Sequence, residues 1–582
     1  MSGELPRVVK ARRGFSVSYR GKTLLSAVDP VAQGERAVDA APPGNGTLYF
    51  CPSPLFGYGL SRLLERIERH EPDSAVLCVE ACRELLTLPP HGGNETLPSH
   101  PRFAMLGIAG PDAGESGEKS AERVLSLARR LWGSRCFRRV EILRLSGGWQ
   151  LYPELYGALA EALRADIAGD WGNAMTLVKL GRRYTRNFIR NLSLIPRCPS
   201  LSSLSFGKDP LLVLGAGPSL DSFLDLWEKR SPGGAGRPGR PWKILCVDTA
   251  IPCLKARGIK PDLVIALECQ HWNLRDFTGA RGWGPPLAMD LSALPATAEV
   301  LGGPAYIFFT PWTELRLFSR LERAGLLPEP FPPLGSVGLS ATAAALRLSR
   351  GPVILCGIDF SFTLDSYHAR STPAHGEKLR RQNRFRGIFN QDAAFRISAF
   401  AGLSKSGRPV RSDPAMRNYR DLFEREFAAE QRLMDIEGSG LSLGLSSLKA
   451  EEAIAVLEAG GPGGPAAGPP NPAPDPADRP GKAASLAELV HAELGALERL
   501  REILRGKEAA PPEEFEGLLD FCGYVWAHFP ECAAAGGRRP ADISFLKRVR
   551  TEIEPFMGLW ESVLEESGDR QAAPSGASPP WF

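Results

Sequence analysis

At 582 residues the chain is too long for one hydrophobic core and predicts about three or four domains. Its 70 Lys and Arg against 66 Asp and Glu leave a net charge of +4, too near balance for a nucleic-acid binder, while 43% hydrophobic and 23% charged residues fit a water-soluble globular protein. Eleven scattered cysteines with no CxxC pair or zinc-spaced cluster, no apolar signal core at the N-terminus and no stretch of about 20 apolar residues predict reduced thiols, a cytoplasmic location, no membrane span and no bound metal.

Residues 1–45 read as short strands and polar loops. TLYFCPSPLFGYGLSRLLERIERHEPDSAVLCVEA (47–81) then gives a strand, a loop with Gly57 and Gly59, an amphipathic helix, and a strand ending at Glu80. That is half of a nucleotide-type βαβ unit, with an acid where such folds hold a ribose. The loop is crowded with proline and aromatic residues, and a fold without ligand is the simpler reading. Residues 153–194 are expected to be helical, with Arg182, Arg183, Arg186 and Arg190 forming a solvated face or an interdomain contact.

LLVLGAGPSLD (211–221) has the strand–turn–helix grammar of a phosphate site. Gly215 and Gly217 permit a tight turn, and Pro218 suits the first helical turn because its missing N–H has no partner there. Ser219 follows. The free amides and the helix dipole would face an anion, a nucleotide first of all. Leu220 stands where a dinucleotide fingerprint has its third glycine.

From Pro210 onward, short apolar strands alternate with helices: LLVLG, ILCVD, LVIALE, PLAMD, AYIFF and VILCG. This predicts a parallel sheet covered on both faces, with ligands at the carboxyl ends of the strands. Those ends are Gly215, Asp248, Glu268, Asp290, Thr310 and Gly357-Ile358-Asp359. The expected class is α/β, with a Rossmann-like doubly wound parallel sheet in the central domain, a smaller α/β N-terminal domain and a helical C-terminal module.

After about residue 376 the sequence reads as basic and helical, through KLRRQNRFRG and NYRDLFEREFAAEQRLMDIEG. G-x-S-x-G at Gly440–Gly444 is read as following a helix and not a strand, which sets a hydrolase elbow aside. The Gly/Pro-rich stretch that follows is a linker, and Ser485 with Glu488 makes a capping box opening the C-terminal helices, which suit partner contact. The expected domains are 1–195, 196–458, a linker at 459–482, a helical module at 483–566 and a disordered tail at 567–582.

Residues 208–450 resemble the central domain of the motility-associated-factor (Maf) proteins, which are flagellin glycosyltransferases, and of the related archaeal 6-hydroxymethylpterin diphosphokinases. The motifs are LGAGPSLD (214–221), VDTAIPCLKARGIKPDLVIALE (247–268), GSVGLSATAAALRL (335–348) and CGIDFSFTLDSYHA (356–369). They also resemble bacterial lipooligosaccharide sialyltransferases, which take a CMP-activated nonulosonic acid and invert the anomeric centre without a metal. The resemblance implies that Gly215, Gly217, Pro218 and Ser219 line the nucleotide, that Asp248 and Thr249 touch ribose or base, and that Ser336 and Gly338 open a second helix for the cytosine or phosphate end. Of two tyrosines that hold the departing phosphate in those enzymes, the first position is Ser361 here and the second is Tyr367.

Transfer to an alcohol needs a base near the acceptor hydroxyl. His368 is the first candidate by proximity and His375 the second. Asp359 lies beside them, as a catalytic acid or as a cap on neighbouring amides. The expected function is transfer of a nonulosonic sugar from a CMP donor to Ser or Thr of flagellin, with no tightly bound cofactor. One alternative is pyrophosphoryl transfer from ATP to a pterin alcohol, with Mg²⁺ on Asp248, Asp262, Glu268 and Asp359. Another is a non-catalytic flagellar adaptor.

Overall fold

The computed structural model describes residues 5–88, 99–111, 116–133, 135–230, 240–363, 366–385, 387–388, 398–459, 479–534, 539 and 542–568. Two compact units divide the chain: residues 1–179 with 527–545, and residues 180–526 with 546–582. The first boundary falls at Lys179, earlier than the expected 195. The C-terminal helices, expected to form one module, are divided between the two units.

In the first unit, β1 (Arg7–Lys10), β2 (Phe15–Tyr19) and β3 (Lys22–Thr23) form a small antiparallel sheet. β4 (Thr47–Pro52), β5 (Ala75–Glu80), β6 (Phe103–Gly107) and β7 (Arg139–Ile142) form a parallel sheet in the order β6-β5-β4-β7. TLYFCP and AVLCVE are buried at every position, which is why both read as unbroken apolar runs. The helix Leu60–His70 turns Leu60, Leu63, Leu64 and Ile67 inward, at helical spacing.

The second unit is built on eight parallel strands. They are β8 (Leu211–Leu214), β9 (Lys243–Val247), β10 (Leu263–Ala266), β11 (Leu287–Asp290), β12 (Ala305–Phe308), β13 (Val353–Cys356), and, after the antiparallel hairpin of β14 (Phe400–Leu403) and β15 (Pro409–Ser412), β16 (Leu433–Ile436) and β17 (Ser446–Leu448). Their order is β12-β11-β10-β9-β8-β13-β16-β17. The chain therefore runs outward from β8 on one side and resumes at β13 on the other. The reversal between β8 and β13 is the switch point at which such sheets bind ligands. The helix Val337–Leu348, nearly all of it buried, packs against β8, β9, β10 and β13.

Three expectations need correction. The stretch read as helical after residue 376 contains the β14–β15 hairpin and β16; LMDI is four residues long, too short for periodicity to separate a strand from a helix end. Gly440–Gly444 therefore follows a strand, yet the next element is β17 and not a helix, so no nucleophile elbow forms. Of the expected linker, residues 460–478 lie outside the described residues, as do 569–582 of the expected tail. The C-terminal helix begins at Arg479, with Pro480 in its first turn, so Ser485 lies inside the helix and caps nothing. That helix places Glu493, 0% exposed, against Arg320, whose Nε donates at 2.7 Å and whose guanidinium covers the Phe521 ring at 3.6 Å.

Candidate functional site

The two glycine loops at the switch point interlock. Gly215 N–H donates to the Cys356 carbonyl and Gly217 N–H to the Gly357 carbonyl, both at 2.8 Å. A Cβ on Gly215 would stand 2.3 Å from the Gly357 oxygen, so glycine is needed there for close backbone approach. Gly357 has φ +77°, and a Cβ on it would lie 3.2 Å from Leu220 Cβ. The glycine that the fingerprint lacks at position 220 is thus supplied by the opposite loop.

The N-terminus of the helix Ser219–Arg230 is already filled. Asp359 accepts from Ser219 N–H at 2.8 Å and from Ser219 Oγ at 2.5 Å, and Ser219 Oγ accepts from Gly357 N–H at 3.2 Å. Leu220 and Asp221 amides close onto Gly217 and Pro218. The expected free amides at Gly215, Gly217 and Ser219 are therefore engaged, and the anion at this dipole is the chain's own carboxylate. Asp359 is 3% exposed and acts as a cap, which removes it from the catalytic candidates. Behind it, Lys405 from the β14–β15 turn pairs with Asp435 at 2.5 Å, each side chain 2% exposed, and burial pushes Asp435 up to about 6.

The second glycine-opened helix differs. Gly335 has φ +66°, Ser336 occupies the cap position without a side-chain bond, and the first internal bond runs from Ser340 N–H to the Ser336 carbonyl at 3.0 Å. Among the described residues nothing accepts from the amides of Val337, Gly338 and Leu339. Gly338 packs on Ile358, so this N-terminus borders the Gly357–Asp359 loop. Tyr419, from the helix Pro414–Phe427, stands beside it: a Cβ on Gly335 would meet its ring at 3.3 Å. Sequence reasoning missed Tyr419 because nothing marks it, 50 residues beyond the nearest family motif (356–369). Burial raises the phenols of Tyr419 and Tyr184, and the charge of Glu268 adds to both.

The ends of β9, β10 and β11 carry the acids. Asp248 accepts from Thr249 N–H at 2.8 Å, Thr249 Oγ1 at 3.2 Å and Asn273 Nδ2 at 3.0 Å; burial pushes it up to about 6. Thr249 is thus turned toward Asp248. Asp276, one turn beyond Asn273, is pushed up to about 7 by burial and by the Asp248 charge. Asp290 accepts from Ser292 N–H and Oγ, and Glu268 from Gln270 N–H. Asn187 and Asn191 clamp the loops beyond β10 and β11 by donating to the carbonyls of Cys269, Ser292, Leu291 and Ala293. Asp262, by contrast, lies at the start of β10, where it accepts from Ile244 N–H and from Arg240. Among the described residues no three His, Cys, Asp or Glu side chains group to hold a metal ion.

A strap at residues 366–381 crosses the Gly215–Gly217 turn. Ala369 N–H donates to the Ala216 carbonyl at 2.9 Å, and Arg370 reaches Asp221 at 3.4 Å and Asp225 at 2.6 Å. His368 faces the same Ala216 carbonyl, and burial pulls it down to about 4, so the imidazole is neutral at physiological pH. Tyr367 lies tilted against Phe362 at 5.1 Å and edge-on to His368 at 4.8 Å, with Lys378 Nζ 5.0 Å over its ring. His375 sits in the first turn of the helix Pro373–Arg381. Ser361 is buried and donates to the Ser439 carbonyl at 2.8 Å, so it offers no hydroxyl to a ligand. The expected residues Gly217, Pro218, Asp248, Thr249, Ser336, Gly338, Tyr367 and His368 thus lie at or over the carboxyl ends of β8, β9 and β13.

In the first unit, Glu80 is spent internally. It accepts from Ser53 Oγ at 2.7 Å, Cys82 N–H at 2.9 Å and Tyr156 OH at 3.3 Å. A Cβ on Gly148 would lie 2.1 Å from Ser53 Oγ, so the Gly148 backbone packs directly on the hydroxyl that Glu80 holds.

Residues 186–365, which carry both glycine loops, match the family model described as 6-hydroxymethylpterin diphosphokinase MptE-like. This stretch is an MptE-like domain. Over 579 residues, 95% of each chain, the protein is 28% identical to an "Uncharacterized protein" of Treponema pallidum (strain Nichols). A solved structure, the MAf glycosyltransferase from Magnetospirillum magneticum AMB-1, aligns with a TM-score of 0.49 at 15% identity, covering 97% of this chain and 92% of that one. The MptE-like domain holds the interlocked loops, the uncapped helix and the acids at β9 to β11; the strap and Tyr419 come from beyond it.

Proposed function

We propose that the protein is a cytoplasmic glycosyltransferase that moves a nonulosonic, sialic-acid-like sugar from a CMP donor to Ser or Thr hydroxyls of flagellin, with inversion. The observation that carries this reading is the pairing of an uncapped helix N-terminus at Ser336 with a neutral His368 and Tyr367 about a single switch point. In the step, the acceptor oxygen attacks the anomeric carbon, its proton passes to His368, and the bond to the CMP phosphate breaks with its electron pair on the phosphate oxygen. The amides of Val337, Gly338 and Leu339, with Tyr367, receive that charge. An anionic donor beside His368 raises its basicity above that low value.

The family model's description favours a second reading, pyrophosphoryl transfer from ATP to a pterin alcohol. The four acids expected to hold Mg²⁺ fit it poorly: Asp262 is at the amino end of β10, and Asp359 is committed to Ser219. Thermal denaturation separates the readings. CMP should raise the melting temperature without added metal; ATP with Mg²⁺ doing so instead would establish the kinase, and neither doing so would leave a flagellar adaptor. His368→Ala is expected to bind CMP and transfer nothing, with flagellin mass read by mass spectrometry; full transfer would remove His368 as base.

A further inference from the structure

Asp276 is 7% exposed, and among the described residues it accepts no hydrogen bond and lies within ion-pair distance of no cation. Neighbouring Arg275 is turned to Glu377, at 3.7 Å. The Asp276 oxygens are not among the fully enclosed polar atoms that lack a partner, so a largely buried carboxyl group keeps an open side on which a ligand can complete its hydrogen bonds. Asp276 stands three residues beyond Asn273, on the same face of its short helix, and Asn273 donates to Asp248 Oδ2 at 3.0 Å. Asn273 thus links Asp248 to the turn that carries Asp276, and the charge of Asp248 adds to burial in raising Asp276.

The chemistry of this pair is restrictive. Two neighbouring carboxyl groups repel phosphate, so an anionic end of a ligand belongs elsewhere, at the amides beyond Ser336. They welcome neutral O–H donors. Asp248 Oδ1 is occupied by Thr249, whereas Oδ2 receives one bond and keeps a lone pair; Asp276 has all of its acceptor positions free. A vicinal diol presents two O–H donors on adjacent carbons and matches two neighbouring acids. We propose that Asp276, beside Asp248, is a specificity-determining residue that receives a vicinal pair of sugar hydroxyls of the donor, the 2′,3′-diol of its ribose or the hydroxyls of the transferred sugar. This rests on the reading of the crevice as a nucleotide-donor site.

The test is isothermal titration of the full chain and of Asp276→Asn with CMP, 2′-deoxy-CMP, CMP-activated N-acetylneuraminic acid, ATP and 2′-deoxy-ATP. The unsubstituted protein is expected to bind CMP at least about tenfold more tightly than its deoxy analogue, the scale of one charge-assisted hydrogen bond. Asp276→Asn should bring CMP down to the deoxy level and leave the deoxy analogue unchanged. A loss confined to the CMP-activated sugar would place the hydroxyls on the transferred sugar and keep the assignment. Equal binding of CMP, its deoxy analogue and the activated sugar by both proteins would overturn the role of Asp276 while the CMP reading stands. An Asp276-dependent preference for ATP over 2′-deoxy-ATP, with CMP inert, would overturn the CMP donor and keep the diol assignment. No nucleotide binding at all would end both.

Discussion

A methyl group on Gly217 would lie 2.5 Å from Asp359 Oδ2 and 2.7 Å from the Gly357 carbonyl; the second is backbone and the first is held by Ser219, so neither is free to yield. Gly217→Ala should therefore cost about 2 kcal/mol, in the range of overpacked cores, read as a lower urea midpoint at unchanged slope. Two titrations at the site have opposite signs. His368 is depressed from its ordinary value of 6.5 to about 4, so its contribution to stability is present above pH 6.5 and is lost as pH falls toward 4, by about 3 kcal/mol. Asp276 is raised from 3.8 to about 7, so stability is greatest below about pH 4 and falls as pH rises through 7, by at most about 4 kcal/mol. Denaturation of His368→Gln at pH 4, 6 and 8 should show the acid-side loss abolished, and that of Asp276→Asn a gain at pH 8 that vanishes at pH 4. The sequence showed which glycines matter but not what faces them. Asp359 is 140 residues from Ser219, and only the pairing of β8 with β13 brings the two together.

Among the elements, strands buried on both faces were the most legible. Six apolar runs ending in Gly, Asp, Glu or Thr became β8 to β13, and the alternation with helices predicted their parallel pairing. What escaped were pieces too short to carry a period, β16 above all, and the hairpin that delivers Lys405 to Asp435. The long helix ending at Asn191 was read for its arginines, yet its buried asparagines do the positioning, each bridging two carbonyls of the loops above β10 and β11. At the C-terminal end, Arg320→Ala would leave Glu493 buried and unpaired, a loss of about 3 to 5 kcal/mol for a broken buried pair. Limited proteolysis should then cut within residues 479–526 well before the sheet. Equal resistance in the variant would mean that apolar packing alone holds those helices.

At the scale of the whole chain, the two parallel sheets differ in how the acids at their strand ends are used. The first unit spends Glu80 on Ser53, Cys82 and Tyr156. In the second unit the helix that opens at Ser219 is capped by Asp359, whereas the helix that opens at Ser336 has no side-chain cap. Replacing Asp359 by Ala should accordingly destabilise the protein by about 1 to 2 kcal/mol, the cost of a lost helix cap, while CMP affinity stays within a fewfold of the parent. A collapse of CMP affinity with stability intact would return the phosphate to the first helix.

Asp359 at the head of that helix is a competitor tethered by its own backbone, present at an effective concentration no free nucleotide in a cell approaches. Any phosphate entering the GAGPS turn would first have to evict it, leaving a charge stranded beside Asp435. The turn is therefore a fixed joint between β8 and β13, and substitutions around Ser336 and Asp276 leave it undisturbed.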